Sequence, residues 1–194
     1  AILMIPIGMI SFLASDREGR QDEAFQEVSG KWGKEQTVIG PILSIPYKDK
    51  VERTTSEGTV VDETIRYAHF LPEELNVKGM IDPEKRKRGI YEVVVYNANL
   101  EISGQFLAPD FSKWDIAKDD ILYKQAFVTL GISDMRGIKE NLNLEWGNKK
   151  QAFSPGVKTN DVIASGINAD IDLSQDNKSQ NFKITLSLNG SRDL

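Results

Sequence analysis

Ile90-Tyr91-Glu92-Val93-Val94-Val95-Tyr96-Asn97-Ala98-Asn99-Leu100-Glu101-Ile102-Ser103-Gly104-Gln105-Phe106 is the stretch that decides the fold class of this 194-residue chain. Val94, Tyr96, Ala98, Leu100 and Ile102 recur at period two, and Asn97, Asn99, Glu101 and Ser103 fill the alternate positions. A helix repeats every 3.6 residues, so this pattern sorts polar from apolar side chains only in an extended strand with one face buried. At roughly 3.3 Å per residue the segment is about 50 Å long, longer than most strands, which predicts a bend or bulge within it.

The same alternation recurs towards the far end, where Phe182, Ile184, Leu186 and Leu188 alternate with Lys183, Thr185, Ser187 and Asn189. Residues 59–70 alternate around Val60, Val61, Ile65, Tyr67 and Phe70, after a turn at Ser56-Glu57-Gly58. Shorter strands are predicted at residues 75–80, at 122–132 with Phe127, Val128 and Leu130, at Leu142, Leu144 and Trp146, and in part of 162–173. Val38, Ile42 and Ile45 form a further strand interrupted by Pro41 and Pro46. Because proline cannot donate to a ladder, this strand is expected at an edge or with a break. Residues 115–120 and 133–140 suit single helical turns, the second capped by Ser133 or Asp134. Residues 35–194 therefore read as mainly β, an antiparallel sheet or sandwich.

Upstream the character differs. Residues 1–14 are apolar and uncharged, whereas residues 16–34 are dense in charge. The apolar run has no basic n-region, which argues against a complete signal peptide. It is also shorter than the ~20 residues that span a bilayer. It is read as the end of a truncated transmembrane helix, with a buried element of the domain as the other reading. Ala24, Phe25, Val28 and Trp32 recur at helical spacing, so residues 15–34 are read as an amphipathic helix that continues outward and stops at Gly30 and Gly33. Core packing is the expected role of that stripe. The tail from Leu186 to Leu194 stops just after a strand pattern, so the chain is expected to be part of a longer one.

Composition excludes several function classes. Hydrophobic residues at 40% and charged residues at 27% fit a chain with a packed core. A net charge of −5 argues against general nucleic-acid binding, which needs a basic surface to displace counterions. With no cysteine there is no disulfide, thiolate metal site or cysteine nucleophile.

Few residues invite a catalytic reading. His69 is the only histidine, and a Ser-His-Asp site would require it. No Gly-x-Ser-x-Gly elbow accompanies it, so a structural role is expected. Asp170, Asp172, Ser174 and Asp176 place oxygens at alternate positions, as a calcium loop does. Gln175 replaces the glycine of the sharp turn, and Asn181 stands where such loops carry glutamate. Glu84-Lys85-Arg86-Lys87-Arg88 is the concentrated basic run. It reads as a solvated loop or strand start, with a lipid-headgroup contact as the functional alternative. No catalytic, cofactor-binding or metal-ligating residue is assigned, and no cofactor is expected.

Six strings carry a family resemblance: Ile5-Pro6-Ile7, Gly40-Pro41-Ile42-Leu43-Ser44-Ile45-Pro46-Tyr47, His69-Phe70-Leu71-Pro72-Glu73, Arg88-Gly89-Ile90-Tyr91, Ser133-Asp134-Met135-Arg136-Gly137-Ile138 and Leu188-Asn189-Gly190-Ser191. In this order they resemble the CreD family of bacterial inner-membrane proteins. The resemblance implies one N-terminal transmembrane helix, a large periplasmic domain and a cluster of C-terminal transmembrane helices, with a role in cell envelope integrity under stress control. It implies that the membrane is reached through the parent chain's helices. It supplies no catalytic residue to carry over. The leading expectation is thus a non-enzymatic periplasmic module that binds an envelope protein, peptidoglycan or a lipid. A carboxylate- or metal-dependent envelope-modifying enzyme is the alternative, and a purely structural spacer is a third reading.

Overall fold

The computed structural model describes residues 4–55, 58–114, 116–139, 142–173 and 178–192. One helix, α1 (Met4–Trp32), precedes ten strands: β1 (Val38–Thr55), β2 (Gly58–Phe70), β3 (Glu74–Arg88), β4 (Tyr91–Phe106), β5 (Phe127–Ile132), β6 (Asn143–Trp146), β7 (Lys149–Ala152), β8 (Ser154–Pro155), β9 (Gly166–Asp170) and β10 (Gln180–Arg192). Two five-stranded antiparallel sheets result, in the orders β2-β1-β5-β9-β8 and β3-β4-β10-β6-β7.

The alternating stretch behaves as its pattern predicts. Ile102 and Ala98 of β4 stand opposite Ile184 and Leu188 of β10, and Ile184 stands opposite Leu144 of β6. Residues paired across an antiparallel ladder point to the same face. That face therefore lines the core. The first sheet answers with Leu43 and Ile45 of β1, Ala68 of β2, Val128 and Leu130 of β5, and Ile167 of β9. Each buried leucine, isoleucine or valine among them contributes roughly 1.5–3 kcal/mol from apolar area removed from water. β4 keeps an unbroken register with β3 from Tyr91 to Gln105 and with β10 from Val94 to Phe106, so no bulge interrupts either ladder.

Of the two readings of the Pro41-interrupted strand, the break is the one observed, and two other expectations change. β1 lies inside its sheet, between β2 and β5, and not at an edge. Its break is a register shift between Ile39 and Ile42, across Gly40-Pro41. The strand predicted at 75–80 and the basic run that follows form one strand, β3, at the edge of the second sheet. The strand expected from residue 122 starts at Phe127, after a 3-10 turn at Tyr123–Gln125. The turn at 133–140 appears as Met135–Gly137, with Asp134 accepting from the Arg136 amide. Ser56 and Glu57 of the predicted hairpin turn lie outside the described residues, but the ladder is registered up to Thr55 and Gly58.

α1 runs without interruption from the uncharged stretch into the charged one, with Gly30 inside it. Gly33 then stops it at φ 123°, a conformation that favours glycine. The helix lies on the outer face of the second sheet. Ser191 of β10 is paired with Val95 of β4, and its hydroxyl meets Ser29 of α1. Val93 and Val95, buried on the face opposite the core, are thus explained by the helix that crosses them. The indole Nε1 of Trp32 donates to the Tyr96 carbonyl at 3.2 Å, and the Tyr91 hydroxyl donates to the Arg17 carbonyl at 3.3 Å. Contact with the sheet thus begins where the charged half of the helix begins. Further towards the N-terminus, Phe12 and Leu13 are exposed.

Candidate functional site

The β1–β2 ladder sets Ser44 opposite His69, both on the outer face of the first sheet. Ser44 Oγ lies 2.9 Å from His69 Nδ1. On the other side of the ring, His69 Nε2 is 3.5 Å from Asp161 Oδ2. That separation suits an ion pair when the imidazole is charged but is too long for a good hydrogen bond, and Nε2 is buried with no hydrogen-bond partner. The three side-chain types of a serine hydrolase are therefore in one row. Ser44, however, is 2% exposed, and the space before it is about 10 Å³, the room of a single water. Ile42, Thr129, Val162 and Ile163 close it. No acyl group fits against Ser44 in this arrangement. The row ties the segment bearing Asp161 to the sheet. Ser44 and Asp161 carried no sequence signal, because they lie 25 residues before and 92 residues after His69.

The acidic stretch is described only in part. Asp170 ends β9 and pairs with Lys158. Asp172 is exposed, and Ser174 and Asp176 lie outside the described residues. Among the described residues no three His, Asp or Glu side chains converge to hold a metal.

The basic run alternates with the pleat of β3. Lys85 and Lys87 stand opposite Val94 and Glu92, and both ammonium groups bond Glu92, at 3.0 and 3.4 Å. Their hydrogen bonds hold the Glu92 carboxyl below its ordinary pKa, Lys85 first. Arg86 and Arg88 point to the opposite face, towards α1. The Arg86 guanidinium sits 5.0 Å from the Trp32 ring centroid and 2.9 Å from Glu84. Arg88 bonds Glu27 of α1 at 2.7 Å. The run expected as a solvated loop or strand start is the end of an exposed strand, whose four cations each have a partner, and two of them dock the helix.

A roomier cleft lies elsewhere among the described residues, in the loop that follows β4. It measures about 630 Å³ and is lined by Asp110, Phe111, Trp114, Lys118, Asp119 and Tyr123 among others. Phe111 is buried at its floor, packed edge-on against Phe70 (centroids 5.4 Å apart), Trp114 (5.3 Å) and Tyr123 (6.1 Å). Trp114 also meets Phe70 and Tyr47, yet is 42% exposed. Two local bonds shape the loop: Ser112 donates its amide to Asp110 Oδ1 at 2.8 Å, and the Trp114 amide donates to the Phe111 carbonyl at 3.0 Å. Ser112 holds the Asp110 carboxyl below its ordinary pKa. Periodicity could not single out these residues. The available signal was two aromatics in a turn-rich segment with no strand or helix pattern to bury them.

Comparison with known proteins places this sequence in a family. Residues 1–194 match the family described as "Inner membrane protein CreD". A relative of that description from Escherichia coli (strain K12) is 26% identical over 197 residues, covering 100% of this chain and 42% of the relative. The chain thus spans less than half the length of that curated relative. No solved structure matches. Among the described residues no helix is long and apolar enough to cross a membrane by itself. With a family match over its whole length and a mainly antiparallel β fold led by one helix, the chain belongs to the CreD family of inner membrane proteins.

Proposed function

We propose that this chain is the periplasmic part of an inner membrane protein, a non-enzymatic module that contributes to cell envelope integrity by holding a binding surface away from the bilayer. The observation that carries the proposal is the path of α1. Its uncharged half projects past the sandwich, and its charged half, from Arg17 onward, is fastened to the second sheet. A helix continuous across that boundary transmits the position of a membrane anchor directly to the β domain, with no flexible joint between them. Residues 4–15 alone extend about 18 Å at 1.5 Å per residue. The catalytic alternative draws little support, because Ser44 is walled in and, among the described residues, no three His, Asp or Glu side chains gather to hold a metal.

Placement is testable because the chain lacks cysteine. Lys124→Cys, at an exposed position in the first sheet's loop, is expected to react with a membrane-impermeant maleimide in intact spheroplasts. Labelling only after lysis would overturn the periplasmic placement. For the envelope role, cells lacking the parent gene are expected to regain resistance to bile salts with the wild-type gene, and not with a version deleted for the β domain.

A further inference from the structure

We propose that the cleft around Trp114 binds a neutral glycan strand of the amino-sugar class found in cell walls. The inference deepens the binding role proposed above and rests on it for its biological setting. A pyranose ring offers one face of C–H bonds and an edge of hydroxyls. Its complement is a flat aromatic surface bordered by groups that both accept and donate. The cleft has this composition. The indole of Trp114 is partly open to solvent, while Phe70, Phe111 and Tyr47 fix its orientation from behind. A ring held in place this way loses little freedom on stacking. Asp110 and Asp119 present acceptors at the rim, and Lys118 presents donors. At about 630 Å³ the cleft lies within the roughly 300–1,000 Å³ of ligand sites.

Charge and position narrow the ligand. Two carboxylates against one ammonium at the rim disfavour phosphate-bearing polymers and leave a neutral sugar chain acceptable. A purely apolar partner would leave these three charges desolvated without partners. The cleft follows Phe106, the last residue of β4, whereas α1 docks at Tyr91, its first. Sixteen residues of strand separate the two ends, about 50 Å. For a domain standing on α1, the cleft is carried on the side away from the anchor.

The test is a titration of the full chain, purified in a zwitterionic detergent free of sugar, with the tetramer of N-acetylglucosamine, read by calorimetry. Saturable binding in the millimolar range or tighter is expected. Trp114→Ala is expected to weaken it at least about tenfold, and Asp119→Asn several-fold, with unchanged circular dichroism. If Trp114→Ala fails to fold, Asp119→Asn and Lys118→Glu at the exposed rim carry the test. Absence of binding up to the solubility limit overturns the proposal, as does binding that none of these variants weakens. Binding of a cell-wall stem pentapeptide in place of the sugar also overturns it and makes the cleft a peptide site. The titration is independent of topology, so its failure leaves the periplasmic placement standing, and failure of the labelling experiment leaves the binding result standing.

Discussion

Ser191 Oγ lies 2.7 Å from Ser29 Oγ and 2.7 Å from the Gly33 carbonyl oxygen, and both serines are wholly buried. A hydroxyl donates one proton, so Ser191 donates to the Gly33 carbonyl and accepts from Ser29. This joins the last strand to the final turn of α1 across 162 residues of sequence. Ser191→Val removes the donor and the acceptor together and leaves two buried polar groups without partners. The expected cost is about 1–3 kcal/mol. Thermal denaturation should show a midpoint several degrees lower, and hydrogen exchange should accelerate in the last turns of α1.

Gly33 is the stop of that same helix. Its φ of 123° is unfavourable for any residue with a side chain, and a Cβ there would crowd the Asn189 carbonyl oxygen. Gly33→Ala is expected to destabilise by about 1–3 kcal/mol. Gly30→Ala, inside the helix with open space around it, is expected to be neutral or stabilising by up to about 1 kcal/mol. Urea unfolding of the two variants checks the contrast, and equal effects would show that the helix end is not held as described.

Asp134 couples the segment after α1 to the turn after β5. It accepts from the Lys34 amide at 2.9 Å and from the Arg136 guanidinium at 2.9 and 2.8 Å. Foremost the Arg136 side chain, then these amides, hold its carboxyl well below the usual aspartate range. A carboxyl depressed in the folded state stabilises at pH values above its unfolded pKa of about 3.9. That contribution disappears as pH falls through the folded value. Asp134→Asn should therefore lower the urea midpoint at pH 7 and flatten the loss of stability below about pH 4. A variant whose acid limb matches wild type would refute the assignment.

The row Ser44, His69, Asp161 gives a chemical prediction. Since Ser44 is closed off by Val162 and Ile163, a fluorophosphonate probe is expected to leave it unlabelled in the native protein. Labelling that disappears in Ser44→Ala would restore the enzymatic reading. Asp161→Asn removes only a half-exposed partner at 3.5 Å, so its effect on stability, read by urea unfolding, should stay within about 1 kcal/mol.

Period-two patterning made the strands legible wherever one face meets the core and the other meets water. β4 and β10 satisfy that condition over most of their length, so their alternation tells core-facing residues from solvent-facing ones. β3 did not satisfy it. It is exposed on both faces along all of its length, so nothing in its pattern marked where it ended. Val93 and Val95 broke the alternation for the opposite reason, since the helix buries a second face of the same strand. The helical stripe of Ala24, Phe25, Val28 and Trp32 was visible for its spacing, but its target was not.

By itself the sequence determined the fold class, the helix-then-sheet order, the family strings and the lack of thiol chemistry. Each of these depends on residue type or short-range spacing, which the linear order preserves. Tertiary structure alone decided which residues share a site. It put Ser44 beside His69 and Asp161 and closed the space around them, and it spent the four cations of the basic run on Glu92, Glu84, Glu27 and Trp32. It also gathered Tyr47, Phe70, Phe111 and Trp114 from three separate segments around one cleft. Such groupings follow from ladder register and loop packing, where contacts far apart in sequence set the geometry and no local pattern records them.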